Sequence, residues 1–334
     1  MNDPTAEDRK SDHIRLAFES QAEHALSDKR FYYEPLLSPH PTVKQLPKNF
    51  LGKQLQLPLW ISSMTGGTAK AGEINRNLAK ACNEFGIGMG LGSCRSLLYS
   101  DVNLPDFDLR NIIGPQLPFF ANLGIAQVEK MLRDNDLDSI KKLVAKLRAD
   151  GLIIHVNPLQ EWTQTEGDRF NSAPIETITR LIEKADFPVI VKEVGQGMGP
   201  ESLKELMKLP LAAIDFGAFG GTNFSKLELL RSKDVTMDRE IAYIGHTAEE
   251  MVGFVNEIVL KLGDELKCKE IIISGGIKNY LDGYYCMKKI KLNAIYAQGS
   301  AFLKHAQNDY PSLKNYLKTQ AEGLTLANAF LKVR

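Results

Sequence analysis

No stretch of the 334 residues approaches the roughly 20 consecutive apolar side chains that a membrane-crossing helix needs. The opening segment "MNDPTAEDRKSDHIRLAFES" also lacks the apolar core of a secretory leader. Neither sign of charge is in excess, since 41 Lys and Arg stand against 41 Asp and Glu. No global field therefore recruits nucleic acid or a lipid surface, and recognition of a charged ligand must be local. Cysteine is scarce: Cys82, Cys94, Cys268 and Cys286 are scattered, without CxxC or zinc-type spacing. That pattern argues against a disulfide framework or a zinc site and fits free thiols in a reducing compartment. Solenoid repeats and low-complexity tracts are absent too. The expectation is a soluble, cytoplasmic protein with no nucleic-acid or membrane partner.

What the chain does have is alternation. From residue 58 onward, short β-rich apolar runs alternate with amphipathic helical segments, the mark of βα units around a parallel sheet. Eight runs can be counted: "LPLWISSMTGG", "GIGMGLGSCRS", "LPFFANLGIAQ", "GLIIHVN", "FPVIVKEVG", "LAAIDFGAFGG", "EIIISGGI" and "NAIYAQGSAF". Between them, "AGEINRNLAKACNEF", "DSIKKLVAKLRAD", "PIETITRLIEKA" and "AEEMVGFVNEIVLKL" carry apolar residues at three- and four-residue steps. Eight strands predict an α/β fold of the closed TIM (β/α)8 type, with an open doubly wound sheet as the alternative architecture. Residues 1–57 read as an N-terminal arm or cap, and 58–334 as the barrel, one structural domain. Two long loops follow strand ends, at 158–175 and from "GTNFSKLELLRSKDVTMDRE" to "IGHTAEE", where lids and site loops tend to lie.

In a parallel barrel the βα loops converge at the C-terminal strand ends, so polar residues there are the candidate site. All eight runs end that way: "SSMTGG", "GSCR", Asn122, "HVNPLQE", Lys192 with Glu193, "GGT", "SGGIK" and "QGSA". The turns "SGGIKN" and "AQGSAF" let backbone N–H groups approach a phosphate at a helix start. Taken singly, Gly275, Gly276 and Gly299 could merely make tight turns; paired on adjacent strands they point to a phosphate. Lys192 can meet the electron-rich edge of a flat cofactor ring, or else pair with a carboxylate such as Glu193. Arg95 follows a buried strand, and Arg9 with Lys10 stands in the arm. In "IIHVNPLQEWTQTEGDRF", His155 and Asn157 share a strand face, with Gln160 and Glu161 just beyond. One carboxylate with neutral donors suits Mg²⁺ held largely by phosphate oxygens. Asp168 and Arg169 are read as internal supports of the loop.

These residues resemble a known family. The motifs "RKSDHI", "SSMTGG", "GLGSCRSLL", "ANLGIAQ", "HVNPLQE" with "EGDRF", "VKEVGQGM", "GGTNF" and "SGGIK" occur in the order of the type 2 isopentenyl diphosphate isomerases, over nearly the whole chain. The resemblance implies an FMN-containing TIM barrel that interconverts isopentenyl and dimethylallyl diphosphate in isoprenoid biosynthesis. Reduced FMN and Mg²⁺ take part, NADPH or NADH supplies the electrons, and the reduced flavin itself moves the protons. It implies FMN contacts at Ser63, Met64, Thr65, Ser93, Asn122, Lys192, Thr222, Gly276, Lys278, Ser300 and Ala301. Substrate contacts are implied at Arg9, Lys10, Ser93, Arg95, His155, Asn157 and Gln160, with Glu161 as the Mg²⁺ ligand. A homo-oligomer, tetramer or octamer, goes with the family. Lys278 stands where Arg is usual, Gln298 where Gly is common, and Phe216 and Phe219 where smaller residues are typical. An FMN-dependent oxidase or dehydrogenase on the same barrel is the alternative: it would explain the flavin positions but leave the diphosphate and Mg²⁺ set unexplained.

Overall fold

Each of the eight apolar runs forms a strand, and the strands close on themselves in a computed structural model that describes residues 6–62, 66–232 and 240–334. In chain order they are β1 (Leu59–Ile61), β2 (Gly88–Gly90), β3 (Phe119–Gly124), β4 (Gly151–Val156), β5 (Val189–Glu193), β6 (Ala213–Asp215), β7 (Glu270–Ile273) and β8 (Asn293–Gln298). All neighbours are parallel, and β8 pairs with β1 to close the ring, which excludes the open sheet. The strands are almost wholly buried because they face side chains on one side and helices on the other, as continuous apolar runs require.

Helices lie outside the ring where the periodicity places them. Ala248–Leu262 has the bounds of its apolar pattern and begins with a capping box, the Thr247 hydroxyl accepting from Glu250 N and the Glu250 carboxylate accepting from Thr247 N. Ala69–Phe85 starts at a Thr68 N-cap and stops at Gly86, whose φ of 60° ends the helix in the left-handed region. The long loops carry short helices of their own, Pro158–Thr163 after β4 and Phe224–Arg231 after β6.

The end of the barrel opposite the loops is shut by a β-hairpin, Lys48–Phe50 with Lys53–Leu55. Phe50 and Leu55 are fully buried, each such side chain worth about 1.5–3 kcal/mol of transfer free energy. Polar ties fix the hairpin to the strand starts: Leu51 N donates to Glu270 Oε2 at 2.7 Å, and Lys53 Nζ meets Asp150 at 2.6 Å. Upstream, Phe31–Tyr33 pairs antiparallel with Leu331–Val333, so the arm is stitched to the C-terminal segment.

Candidate functional site

Strand register places the polar residues. Gly124 lies opposite His155, His155 opposite Lys192, and Lys192 opposite Asp215, so β3 to β6 present one level of the barrel interior with three titratable side chains. Above this level a cavity of about 560 Å³ opens at the C-terminal strand ends. Its wall includes Ser93, Asn122, His155, Gln160, Lys192 and Thr222, and, across the mouth, Gly276, Lys278, Ser300 and Ala301.

Asn122 and His155 are locked together. The amide Nδ2 of Asn122 donates to Leu91 O at 2.9 Å, which leaves Oδ1 facing His155 Nδ1 at 2.7 Å. Reversing the amide would set an oxygen against the Leu91 carbonyl, so His155 Nδ1 carries the proton and Nε2 the lone pair. Burial, then the charge of Lys192, pushes His155 down to about 4, which keeps the ring neutral. His155 therefore enters the site as an acceptor at Nε2.

Lys192 is paired, but not with Glu193. Its ammonium lies 3.3 Å from Asp215 Oδ2, with the two side chains 9% and 0% exposed. Ser274 Oγ donates to Asp215 Oδ1 and itself accepts from Gly217 N at 2.8 Å. Adjacent residues on a strand face opposite ways, so Glu193 points out of the barrel and organises the next loop. Its Oε2 accepts from Gly195 N, Gln196 N and Gly197 N at 2.7, 2.6 and 2.8 Å. Burial pushes Glu193 up to about 7 despite these three donors. The folded state thus holds a proton that the unfolded chain releases near its ordinary value of 4.5. That contribution to stability is complete below about 4.5 and is lost as pH rises through about 7. In Glu193→Gln, thermal melting followed from pH 4.5 to 7 is expected to lose a falling component of a few kcal/mol; an unchanged profile would rule this out.

The glycine turns after β6 and β7 meet backbone to backbone. A Cβ on Gly275, whose φ is 86°, would lie 2.0 Å from Ala218 O; one on Gly217 would lie 2.0 Å from Glu193 O. Glycine is required at both. Gln298 braces this turn, its Nε2 donating to Ile277 O at 3.1 Å while its Oε1 accepts from Tyr316 OH at 2.7 Å. The departure from glycine at 298 thus becomes a strut. Phe216 is buried, and Phe219 packs toward Gly245; neither lines the cavity.

The β4 loop holds a second polar cluster behind Gln160. Asn157 Nδ2 donates to Gln160 Oε1 at 3.0 Å and to Glu161 Oε1 at 3.1 Å, while Glu161 Oε2 accepts from Asp168 N at 2.7 Å. Asn157 and Glu161 are buried and do not line the cavity directly. Gln160 also donates to Glu228 Oε1 at 3.4 Å, from the helix after β6. Arg169 braces the loop from within, as expected, whereas the Asp168 side chain ties the loop to neighbouring segments. The Asp168 carboxylate accepts from Arg95 at 3.1 Å and Gln127 at 2.9 Å, and Arg169 donates to Glu161 O and lies over the Trp162 ring.

Some expected residues are not brought in. Arg9 and Lys10 lie on the exposed helix Ala6–Leu16 and are not part of the cavity wall. Ser63, Met64 and Thr65 fall outside the described residues, as do 233–239 of the second loop. Three residues were missed. Asp215 had a signal, a lone acid inside an apolar strand. Lys304 also had one, since it follows Ser300 by one helical turn and reaches the same wall. Glu228 had none, because its contact with Gln160 joins two separate loops. Among the described residues, no group of three or more His, Cys, Asp or Glu is placed to hold a metal.

No protein-family model matches the chain. Solved structures share its fold: a mandelate oxidase variant with an FMN adduct (TM-score 0.55, 15% identity, 92% of this chain and 89% of that one) and a flavocytochrome b2 variant with sulfite bound (0.61, 13%, 94% and 78%). Curated proteins are nearer in sequence. The isopentenyl-diphosphate delta-isomerase of Rickettsia felis is 32% identical over 330 residues, covering 96% of this chain and 91% of that protein. The Rickettsia akari protein of the same name is 34% identical over 306 residues, covering 89% and 85%. With similarity of that extent on an eight-stranded barrel, the chain belongs to the isopentenyl-diphosphate delta-isomerase family, in its type 2 form.

Proposed function

We propose that the protein interconverts isopentenyl and dimethylallyl diphosphate in isoprenoid biosynthesis, with reduced FMN and Mg²⁺ bound and NADPH or NADH as the source of electrons. The observation that carries this reading is a single cavity with two chemically distinct sides. One side has the glycine turns with Lys278 and Lys304; the other has Gln160 in front of Asn157 and Glu161.

The residues present fit a phosphorylated flat cofactor. Among the described residues no partner meets the buried hydroxyl of Ser62, which lines the cavity, and the turns at Gly276 and Ser300 are flanked by the two lysines. Lys278 gives a phosphate a point charge in place of the guanidinium fork. Lys192 and Asn122 would face the ring. The chemistry supplied by a bound reduced flavin is proton donation and abstraction across the allylic system.

The β4 cluster fits a hard cation. Glu161 retains acceptor capacity beyond its two hydrogen bonds, and beside it Asn157 Oδ1 is buried without a partner among the described residues. Oxygen donors with one or two carboxylates suit Mg²⁺ completed by diphosphate oxygens and water. Arg95 would exchange Asp168 for the diphosphate, and Arg9 and Lys10 would join it from the arm. Apolar arm residues left bare in one copy, Phe18, Leu36 and Leu37 among them, support a homo-oligomer, tetramer or octamer. The buried hairpin supports 1–57 as a cap on a barrel of 58–334, and four free cysteines support a cytoplasmic setting.

Anaerobic incubation of the FMN-loaded, reduced protein with Mg²⁺ and isopentenyl diphosphate in D₂O is expected to place deuterium in dimethylallyl diphosphate, with the flavin still reduced at the end. No deuterium in the recovered diphosphate, with substrate-dependent reduction of the flavin in a parallel incubation started from oxidised FMN, would instead support an oxidase or dehydrogenase.

A further inference from the structure

Lys192 is a cation on a buried wall, and its neighbours define what it can do. The charged and titratable groups around it are Asp215 from β6, His155 from β4, and Glu193 next to it on β5 but facing the opposite side. His155 is neutral, and the Glu193 carboxylate is spent on three backbone N–H groups. Among the described residues, Asp215 is thus the one group on Lys192's own side that offsets its charge. It is wholly buried and away from the cavity wall, so it cannot meet a ligand itself. Its Oδ1 is pinned by the Ser274 hydroxyl, which is pinned in turn by Gly217 N, while Oδ2 makes no hydrogen bond of good geometry among the described residues and stands 3.3 Å from the ammonium. A carboxylate so held sets both where the ammonium points and how much net charge it presents.

We propose that Asp215, held by Ser274, is a positioning residue that aims Lys192 at the flavin ring and offsets its charge. The inference rests on the flavin reading above and adds the residue through which the protein adjusts the electronics of the ring. The balance involves charge only: no bond forms or breaks at Asp215.

The test is a double-mutant cycle on the FMN-loaded protein, reading the midpoint potential of the bound flavin and the dissociation constant of FMN. Asp215→Asn is expected to move the potential to more positive values, because the ammonium is no longer offset, and to weaken FMN by about tenfold as its aim is lost. In a Lys192→Met background the same substitution is expected to change neither quantity further. Ser274→Ala, a milder change, should shift both in the same direction by less, and serves if Asp215→Asn does not fold. An unchanged potential in Asp215→Asn and Ser274→Ala, or effects that persist undiminished in Lys192→Met, would overturn the proposal and leave Asp215 as core structure. Failure of the wild-type protein to hold FMN would overturn the flavin reading itself, which is a separate result.

Discussion

In Glu161→Gln, Mg²⁺-dependent turnover of isopentenyl diphosphate is expected to fall by orders of magnitude while the flavin stays bound. The substitution keeps the size of the side chain and one oxygen to accept from Asp168 N, which preserves the tie to the loop 164–171, while the new amide N–H₂ replaces the acceptor that faced Asn157 Nδ2. What it removes is the negative charge beside the unpartnered Asn157 Oδ1, and a hard cation depends on that charge. Isothermal titration with Mg²⁺ and inorganic pyrophosphate separates the steps: flavin absorbance should match wild type while the metal-dependent part of pyrophosphate binding is lost. Wild-type turnover in Glu161→Gln would remove Glu161 from the metal assignment and shift attention to Glu228, a buried carboxylate that accepts from Gln160.

A second large effect is expected from Gly275→Ala. The added methyl would occupy space 2.0 Å from Ala218 O and 2.3 Å from Ala218 N, and the φ of 86° is itself unfavourable for alanine by about 1–2 kcal/mol. Neither neighbour is a flexible side chain, so the β6 and β7 turns must move apart, taking Gly276 and Lys278 with them. The expected result is loss of retained FMN together with a lowered melting temperature. Gly253 gives the contrast. It lies inside the helix Ala248–Leu262, a Cβ there would meet nothing within 4 Å, and Gly253→Ala should be neutral or stabilising by up to about 1 kcal/mol. Equal behaviour of the two variants in flavin retention would show that the turn is ordinary connection, with no part in holding a phosphate.

The barrel was legible because its strands are marked twice, by β-branched apolar runs and by the polar residues that end them. "GLIIHVN" and "FPVIVKEVG" read as strands, and the three- and four-residue apolar steps of "AEEMVGFVNEIVLKL" marked the helix Ala248–Leu262. The hairpin at 48–55 was not legible. Its strands have three residues each and its turn is Leu51–Gly52, with φ of 52° and 70°, so neither alternation nor an Asn-Gly signal marks it. In the site, local spacing revealed His155, Asn157, Gln160 and Glu161 as one group. It did not reveal that Gln160 stands in front and Glu161 behind, because that order depends on how the helix Pro158–Thr163 packs against Phe224–Arg231. The partner of Lys192 was hidden for the same reason. A neighbour in sequence, Glu193, was the natural candidate, yet strand pairing supplies Asp215 from 23 positions along the chain.

The hairpin also governs traffic. With Phe50 and Leu55 wedged into the strand starts and Lys53 tied to Asp150, the barrel is a blind-ended cup with its opening at the loop end. Whatever enters must leave by the same door. On the proposed function, a nicotinamide that delivers electrons and a diphosphate that is rearranged would share that entrance, and each would have to vacate it before the other could approach the flavin ring.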